Sequence, residues 1–87
     1  MRILNNSNNM VVLKDNINNL IFFSYKSHIA TFDKYNNKLY INNLWNYSQT
    51  TMKQFKNFIN DYTTFYYESK KAFETEILNN KNIIMID

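Results

Sequence analysis

Tyrosines and lysines alternate through the middle of the chain, and this combination of side chains has a recognisable binding chemistry. Flat aromatic rings stack on nucleobases and anchor protein interfaces, while lysines contact phosphate groups. The residues predicted to bind a partner are Tyr25, Lys26, Tyr35, Lys38, Tyr40, Trp45, Tyr47 and Lys53. In the alternative interpretation, part of these rings packs under a helix. The first interpretation predicts an exposed surface that works by docking rather than by making bonds.

Catalytic and metal chemistry have few candidate residues in this sequence. His28 is the only imidazole, and Asp33 has the opposite parity on the same predicted strand, so the two are not natural partners. Glu74 and Glu76 are two residues apart and point to different faces of a helix. Without cysteine or glycine, the chain offers neither thiolate ligands nor a glycine-rich phosphate loop. We therefore expect no enzymatic activity, no cofactor and no metal site.

The composition predicts one small globular domain, residues 1–87, because 45% of the residues are hydrophobic and 20% are charged. The absence of cysteine fits a reducing compartment. No apolar run is long enough to cross a membrane, and the N-terminus lacks the apolar core of a signal peptide. We expect a cytoplasmic protein without membrane contact. The net charge of +3 favours a polyanionic partner only weakly.

Apolar runs predict four strands. The runs at 10–13 and 20–25 are separated by asparagine and aspartate, which favours a hairpin. The next strand is expected at 28–33, after a turn near Lys26 and Ser27. Residues 1–9 are expected to form a frayed lead-in.

The sharpest turn signal is Asn36-Asn37, which predicts a two-residue type I′ loop between 28–33 and a strand at 38–41. In that register Asp33 lies opposite Tyr40. The face predicted to be buried carries Ala30, Phe32, Leu39 and Ile41. The other face is expected to be wet, with aromatic rims, and carries Thr31, Asp33, Tyr35, Tyr40 and Asn42.

An amphipathic helix is predicted after the connector 42–47. Ser48 or Thr50 can cap it, and Thr51 with Gln54 fits a capping box. Apolar residues then recur in steps of three and four. Poor helix formers at 61–64 predict a kink or break, and the asparagines at 79–80 predict a helix end. The apolar tail 83–86 needs burial, either as an edge strand or under the helix.

These elements predict an α+β fold, an antiparallel β-meander of three to four strands covered on one face by a C-terminal helix or two helices. One helix face covers the sheet, so aromatic rings elsewhere on the helix are expected to be exposed or to meet another chain. The rings concerned are Tyr62, Phe65, Tyr66 and Tyr67. They suggest a homodimer as one possible assembly.

The middle of the chain is similar to a small domain that recurs in phages and mobile elements of low-GC Firmicutes. That domain has a pattern close to SY-x-T-x-IA-x-x-D, then KLY-[IV], then YS-x-TT-x-K before a helix. The matching residues here are Ser24, Tyr25, Ser27 (in place of threonine), Ile29, Ala30, Asp33, Lys38, Leu39, Tyr40, Ile41, Tyr47, Ser48, Thr50, Thr51 and Lys53. Gln54 stands where a histidine often follows the lysine. Seventeen asparagines against two alanines also indicate an A/T-rich genome.

The resemblance implies a non-enzymatic, phage-encoded inhibitor that binds and blocks a bacterial defence complex, as anti-CRISPR proteins do. Its partner would be a host defence protein or ribonucleoprotein effector. A basic chain of this kind does not suit bulk DNA mimicry, which needs strong negative charge. The alternative is a small basic nucleic-acid-binding accessory protein of a phage.

Overall fold

The protein forms one six-stranded sheet and two helices in the computed structural model, which describes residues 1–86. The strands are β1 (Arg2–Ser7), β2 (Met10–Lys14), β3 (Asn19–Ser24), β4 (Ser27–Asp33), β5 (Lys38–Ile41) and β6 (Ile83–Met85), adjacent in that order. The helices α1 (Gln49–Tyr62) and α2 (Lys70–Asn79) lie between β5 and β6 in the chain. The predicted α+β class is confirmed, but the predicted meander of three to four strands has too few strands.

The N-terminal segment, expected to be frayed, is strand β1 and pairs antiparallel with β2. Asn8 and Asn9 close this hairpin with φ angles of 51° and 64°. A type I′ turn requires such positive angles at both central residues, and asparagine adopts them at low cost. The prediction was wrong because a run of asparagine and serine at 5–9 hides the one pair that makes the turn.

The turn between β4 and β5 has four residues, 34–37, instead of the predicted two. Asp33 pairs with Lys38 and not with Tyr40, so the register differs from the prediction by two residues. The Asp33 carboxylate accepts hydrogen bonds from the backbone N–H of Asn36 at 3.0 Å and from its Nδ2 at 2.7 Å. These bonds close the wider loop. A shift of two residues leaves every side chain on its predicted face.

One face of the sheet packs under the helices, and the four residues predicted for it are all there. Ala30, Leu39 and Ile41 are fully buried, and Phe32 is almost so. Side chains on the opposite face, such as Tyr40, are half-buried. The alternation of buried and accessible residues therefore follows the predicted pattern along β5 and along β4 from Ala30 onward.

Helix α1 begins at Gln49 and is capped by Ser48, one of the two predicted caps. The Ser48 Oγ accepts a hydrogen bond from the backbone N–H of Thr51 at 3.1 Å. The helix ends at Tyr62, which confirms the predicted break. Helix α2 is capped by Ser69 and ends at Asn79, as predicted. Among residues 1–86, no helix is both long and apolar enough to cross a bilayer.

The C-terminal tail is an edge strand, which was one of its two predicted placements. Strand β6 runs parallel to β5, with Leu39 beside Ile83 and Ile41 beside Met85. Parallel neighbours cannot be joined by a tight turn, so the two helices form the crossover connection between them. Ile83 is buried, and this strand therefore extends the core as well as the sheet.

Four aromatic rings from four segments pack together inside the helix layer. They are Trp45 from the connector, Phe55 from α1, Tyr67 from the interhelical loop and Phe73 from α2, with centroids of every pair between 5.2 and 6.4 Å apart. Trp45 is 4% exposed, so the prediction that it contributes to an exposed binding surface is wrong. A large ring near a helix start is as useful to the core as to a partner, and the sequence does not separate the two roles.

The four rings predicted to surround the helix are mostly used inside the protein. Tyr67 is buried, and Tyr62 stacks on Phe58 at 5.9 Å between centroids. Phe65 meets Phe32 edge-to-face at 6.0 Å. Only Tyr66 among the four is largely exposed. A homodimer stays a prediction, but the exposed aromatic helix on which it was based is not there, because α1 ends before three of these residues.

Candidate binding cleft beside the β3–β4 turn

The structure brings together four of the eight predicted binding residues. Tyr25 and Lys26 form the turn between β3 and β4, and Tyr47 immediately precedes the α1 cap. Tyr25 and Tyr47 line one cleft, whereas Tyr25 and Lys53 line a groove next to it. Tyr25, which lines both, therefore lies between the two depressions.

The other four predicted residues lie elsewhere. Tyr35 and Lys38 are at the opposite end of β4, roughly 20 Å from the β3–β4 turn for a strand of this length. Tyr40 lies on the half-buried sheet face, and Trp45 lies in the core. The eight residues therefore do not form a single binding surface. The prediction failed because spacing in the sequence does not show which end of the sheet each residue reaches.

The turn at Tyr25 and Lys26 has an unusual backbone. Their φ angles are 50° and 68°, and Ser24 pairs with Ser27, so this is a second two-residue turn of the type I′ kind. Large side chains disfavour this left-handed conformation by roughly 1–2 kcal/mol per residue. The turn was predicted one residue later, near Lys26 and Ser27, because neither Tyr25 nor Lys26 is a turn-forming type.

A chain of buried and partly buried hydrogen bonds fixes this turn against α1. The Ser24 Oγ donates to the Gln54 Oε1 at 2.6 Å and lies 3.3 Å from the Thr51 Oγ1. The Ser48 Oγ donates to the same Thr51 hydroxyl at 3.1 Å. Gln54 in turn donates from its Nε2 to the backbone carbonyl of Asn8 at 2.7 Å. The β1–β2 turn, the end of β3 and the start of α1 are thereby connected.

The direction of these hydrogen bonds follows from donor counting. A carbonyl only accepts, so the Gln54 amide nitrogen must face Asn8 and its oxygen must face Ser24. Ser24 has one hydroxyl proton, which it gives to Gln54. Thr51 therefore donates to Ser24, and Ser48 donates to Thr51. No buried side-chain nitrogen or oxygen in residues 1–86 is left without a partner. The predicted capping box is wrong, because Gln54 is used across the fold instead.

The cleft between this turn and the start of α1 has a volume of about 540 Å³. Seven of its nine lining residues carry a hydroxyl group, and the other two are Ile29 and Leu44. Tyr25 is 54% exposed and Tyr47 is 79% exposed, so both rings are accessible at the cleft. In the described part of the chain, the lining contains no charged side chain.

A β-bulge in β4 places Ile29 in the cleft. Phe22 pairs with Ala30 but Phe23 pairs with His28, so Ile29 is the additional residue. The bulge also changes the parity of His28, whose Nε2 lies 2.8 Å from the Thr31 Oγ1. The prediction that His28 and Asp33 lie on opposite faces of the strand is therefore wrong. The residue that His28 contacts, however, is Thr31.

In the sequence, Ser48 and Thr51 indicate only a helix cap, and the cleft was not predicted. Ser24 and Gln54 are 30 residues apart, so their contact depends on where α1 crosses the sheet. The motif shared with the phage and mobile-element domain did contain one signal. Its polar residues at 24–27 and 47–54 are far apart in the sequence, and nothing in the sequence alone gives them a common role. In the structure, these two segments meet at one cleft.

Most of the chain matches a known protein family. Residues 2–76 match the family described as a family of unknown function (DUF8033). The chain belongs to this family. No curated protein and no solved structure is similar enough to the chain to count as a match. The DUF8033 match includes the β3–β4 turn and the hydrogen-bonded hydroxyl groups of Ser24, Ser48 and Thr51 (the hydroxyl chain). Strand β6 lies beyond the match.

Proposed function

We propose that this DUF8033 protein is a non-catalytic, phage-encoded inhibitor that binds and blocks a bacterial defence effector complex of the CRISPR-Cas kind. Its docking surface is the area around Tyr25, Lys26 and Tyr47. The observation that carries the proposal is the β3–β4 turn, where two large side chains occupy left-handed positions. Strain of this kind is retained where a side chain has a role that the turn itself does not need.

The rigid support of this turn agrees with a docking role. Because Ser24, Thr51 and Gln54 satisfy each other, the backbone below Tyr25 is held by four hydrogen bonds that reach three elements. A preorganised aromatic anchor loses little conformational freedom on binding, and this favours affinity. Tyr and Trp are enriched among the residues that dominate interface energies.

The proposal is tested by target-cleavage assays with a panel of purified CRISPR-Cas effector complexes. We expect the wild-type protein to inhibit at least one complex at near-stoichiometric amounts. The variant Tyr25→Ala/Tyr47→Ala is expected to lose inhibition, and the matched control Tyr35→Ala, at the other end of β4, is expected to retain it. Cleavage by every complex at undiminished rate would refute this target class.

The two lysines near the aromatic rings favour a second candidate, a nucleic-acid-binding accessory protein. Lys26 follows Tyr25 in the turn, and Lys53 lines the neighbouring groove. Binding to nucleic acid alone, with an affinity that falls steeply as salt rises, would support this candidate. Inhibition of an effector without such binding would favour the first.

A further inference from the structure

We infer that the hydroxyl-lined cleft between Tyr25 and Tyr47 is a binding site for one unpaired nucleobase. The inference rests on the proposed function, because the cleft lies at the same end of the sheet as the proposed docking surface. It goes further by naming a chemical ligand that the proposed function does not require. The cleft, its free hydroxyl groups and its charge distribution each point to this ligand.

Four hydroxyl groups remain available in the cleft. Ser24, Ser48 and Thr51 are used by the internal hydrogen-bond chain. Within residues 1–86, Ser27 and Thr50 make no side-chain hydrogen bond, and their side chains line the cleft. With the other described residues, the phenol groups of Tyr25 and Tyr47 likewise make no hydrogen bond, and both residues line the cleft. A hydroxyl both donates and accepts, so this set matches a ligand edge that mixes donors and acceptors.

The lining selects a neutral and partly apolar ligand. Leu44 is 37% exposed and supplies apolar surface, while Ile29 also lines the cleft but is only 2% exposed. No charged group of the described chain lines the cleft to meet an ion. The accessible rings of Tyr25 and Tyr47 offer flat surfaces on which a planar ligand stacks. A nucleobase is neutral and planar and has hydrogen-bonding edges, so it satisfies all three conditions.

Positive charge lies beside the cleft rather than in it. Lys26 is exposed next to Tyr25 in the turn. The adjacent groove, which is also lined by Tyr25 and Thr50, contains Lys53 together with one acidic residue, Asp61. A base stacked on Tyr25 would therefore have the exposed Lys26, the next residue in the turn, as the neighbouring partner for its phosphate. This arrangement favours a nucleotide over an uncharged sugar, which has no anionic group for Lys26 to meet.

The test is a titration of the ¹⁵N-labelled full chain, followed by NMR, with the four ribonucleosides, their 5′-monophosphates and short single-stranded RNA. We expect saturable shifts at Ser27, Tyr47 and Thr50 for at least one base, with tighter binding when a phosphate is present. Tyr47→Ala is expected to weaken binding roughly fivefold to a hundredfold. Tyr35→Ala, the control at the distant turn, is expected to bind like wild type.

The arms of the titration distinguish the source of the base. RNA that binds more tightly than its mononucleotide indicates a strand, and equal affinities indicate a free nucleotide; both support the inference. No shift at about 10 mM ligand, far above the range of specific sites, would overturn it, as would shifts that Tyr47→Ala leaves unchanged. Effector inhibition that persists with either negative result would show that the docking function stands while the nucleobase site does not.

Discussion

At the scale of single residues, Tyr25 and Lys26 adopt a backbone conformation that this chain otherwise gives to asparagine. The remaining positive φ angles in residues 1–86 belong to Asn8, Asn9, Asn18 and Asn37. Asn8 and Asn9 form the same kind of turn, so the chain itself shows which residues suit it. The β3–β4 turn is therefore the exception within residues 1–86, and the proposed docking role offers a reason for its two large side chains.

The first prediction concerns the stability of this turn. In the variant Tyr25→Asn/Lys26→Asn, the β3–β4 turn has the residues of the β1–β2 turn. We expect its free energy of unfolding in urea to rise by about 1 kcal/mol, because asparagine relieves part of the left-handed strain. The reverse variant Asn8→Tyr/Asn9→Lys is expected to be destabilised by a similar amount. A turn variant less stable than wild type would contradict the strain argument.

The second prediction concerns the buried hydroxyl chain. Ser24→Ala leaves the Gln54 Oε1 without its donor and the Thr51 hydroxyl without its acceptor, so we expect a loss of about 1–3 kcal/mol in urea unfolding. Ser27→Ala, at an exposed site three residues later, is the matched control and is expected to change stability by less than about 0.5 kcal/mol. Equal effects of the two substitutions would show that the chain contributes nothing measurable.

At the scale of the elements, local patterns in the sequence predicted the features that neighbouring residues determine, namely strand faces, a helix cap and a helix break. The faces of β4 and β5 follow from alternation, and the α1 cap and break follow from Ser48 and the threonines at 63–64. The register of β4 with β5 was missed by two residues, because such a shift keeps every side chain on its face. Strands β1 and β6 were not securely placed, since an asparagine-rich run and a four-residue tail have weak patterns of their own.

The third prediction concerns the β4–β5 turn in acid. Hydrogen bonds from the Asn36 side chain and then its backbone lower the pKa of Asp33 below its ordinary value of 3.8. The unfolded chain then binds a proton at a higher pH than the folded chain, so this stabilisation is complete above about pH 5 and is lost as the pH falls below about 4. We expect urea unfolding of Asp33→Asn to vary less with pH than wild type in that range. A variant with the same slope would contradict this role.

At the scale of the whole molecule, the aromatic cluster joins both helices to the connector before α1 and to the interhelical loop. Its four rings come from segments that are separated along the chain, and each ring packs against the other three. They are Trp45, Phe55, Tyr67 and Phe73. The candidate site has the same origin, since Ser24 and Gln54 meet only after α1 has crossed the sheet. Neither the core role of Trp45 nor the cleft could be predicted from the sequence, because both depend on tertiary packing.

The fourth prediction compares two adjacent tyrosines. Tyr67 is 5% exposed in the cluster, whereas Tyr66 is 69% exposed. Tyr67→Ala is expected to lower the free energy of unfolding by about 3–5 kcal/mol, and Tyr66→Ala by less than about 0.5 kcal/mol. Both follow from urea denaturation monitored by the fluorescence of Trp45. Comparable losses would show that the cluster is not the centre of the fold.

The central claim is that strain at the β3–β4 turn is retained for docking, and one titration tests it most directly. The inhibition of a susceptible effector complex is measured against increasing amounts of wild type and of Tyr25→Asn/Lys26→Asn, a variant expected to fold at least as well. We expect the variant to need at least about ten times more protein for half-inhibition, as the loss of an interface anchor requires. Superimposable curves would contradict the claim, because the two large side chains would then have no part in binding.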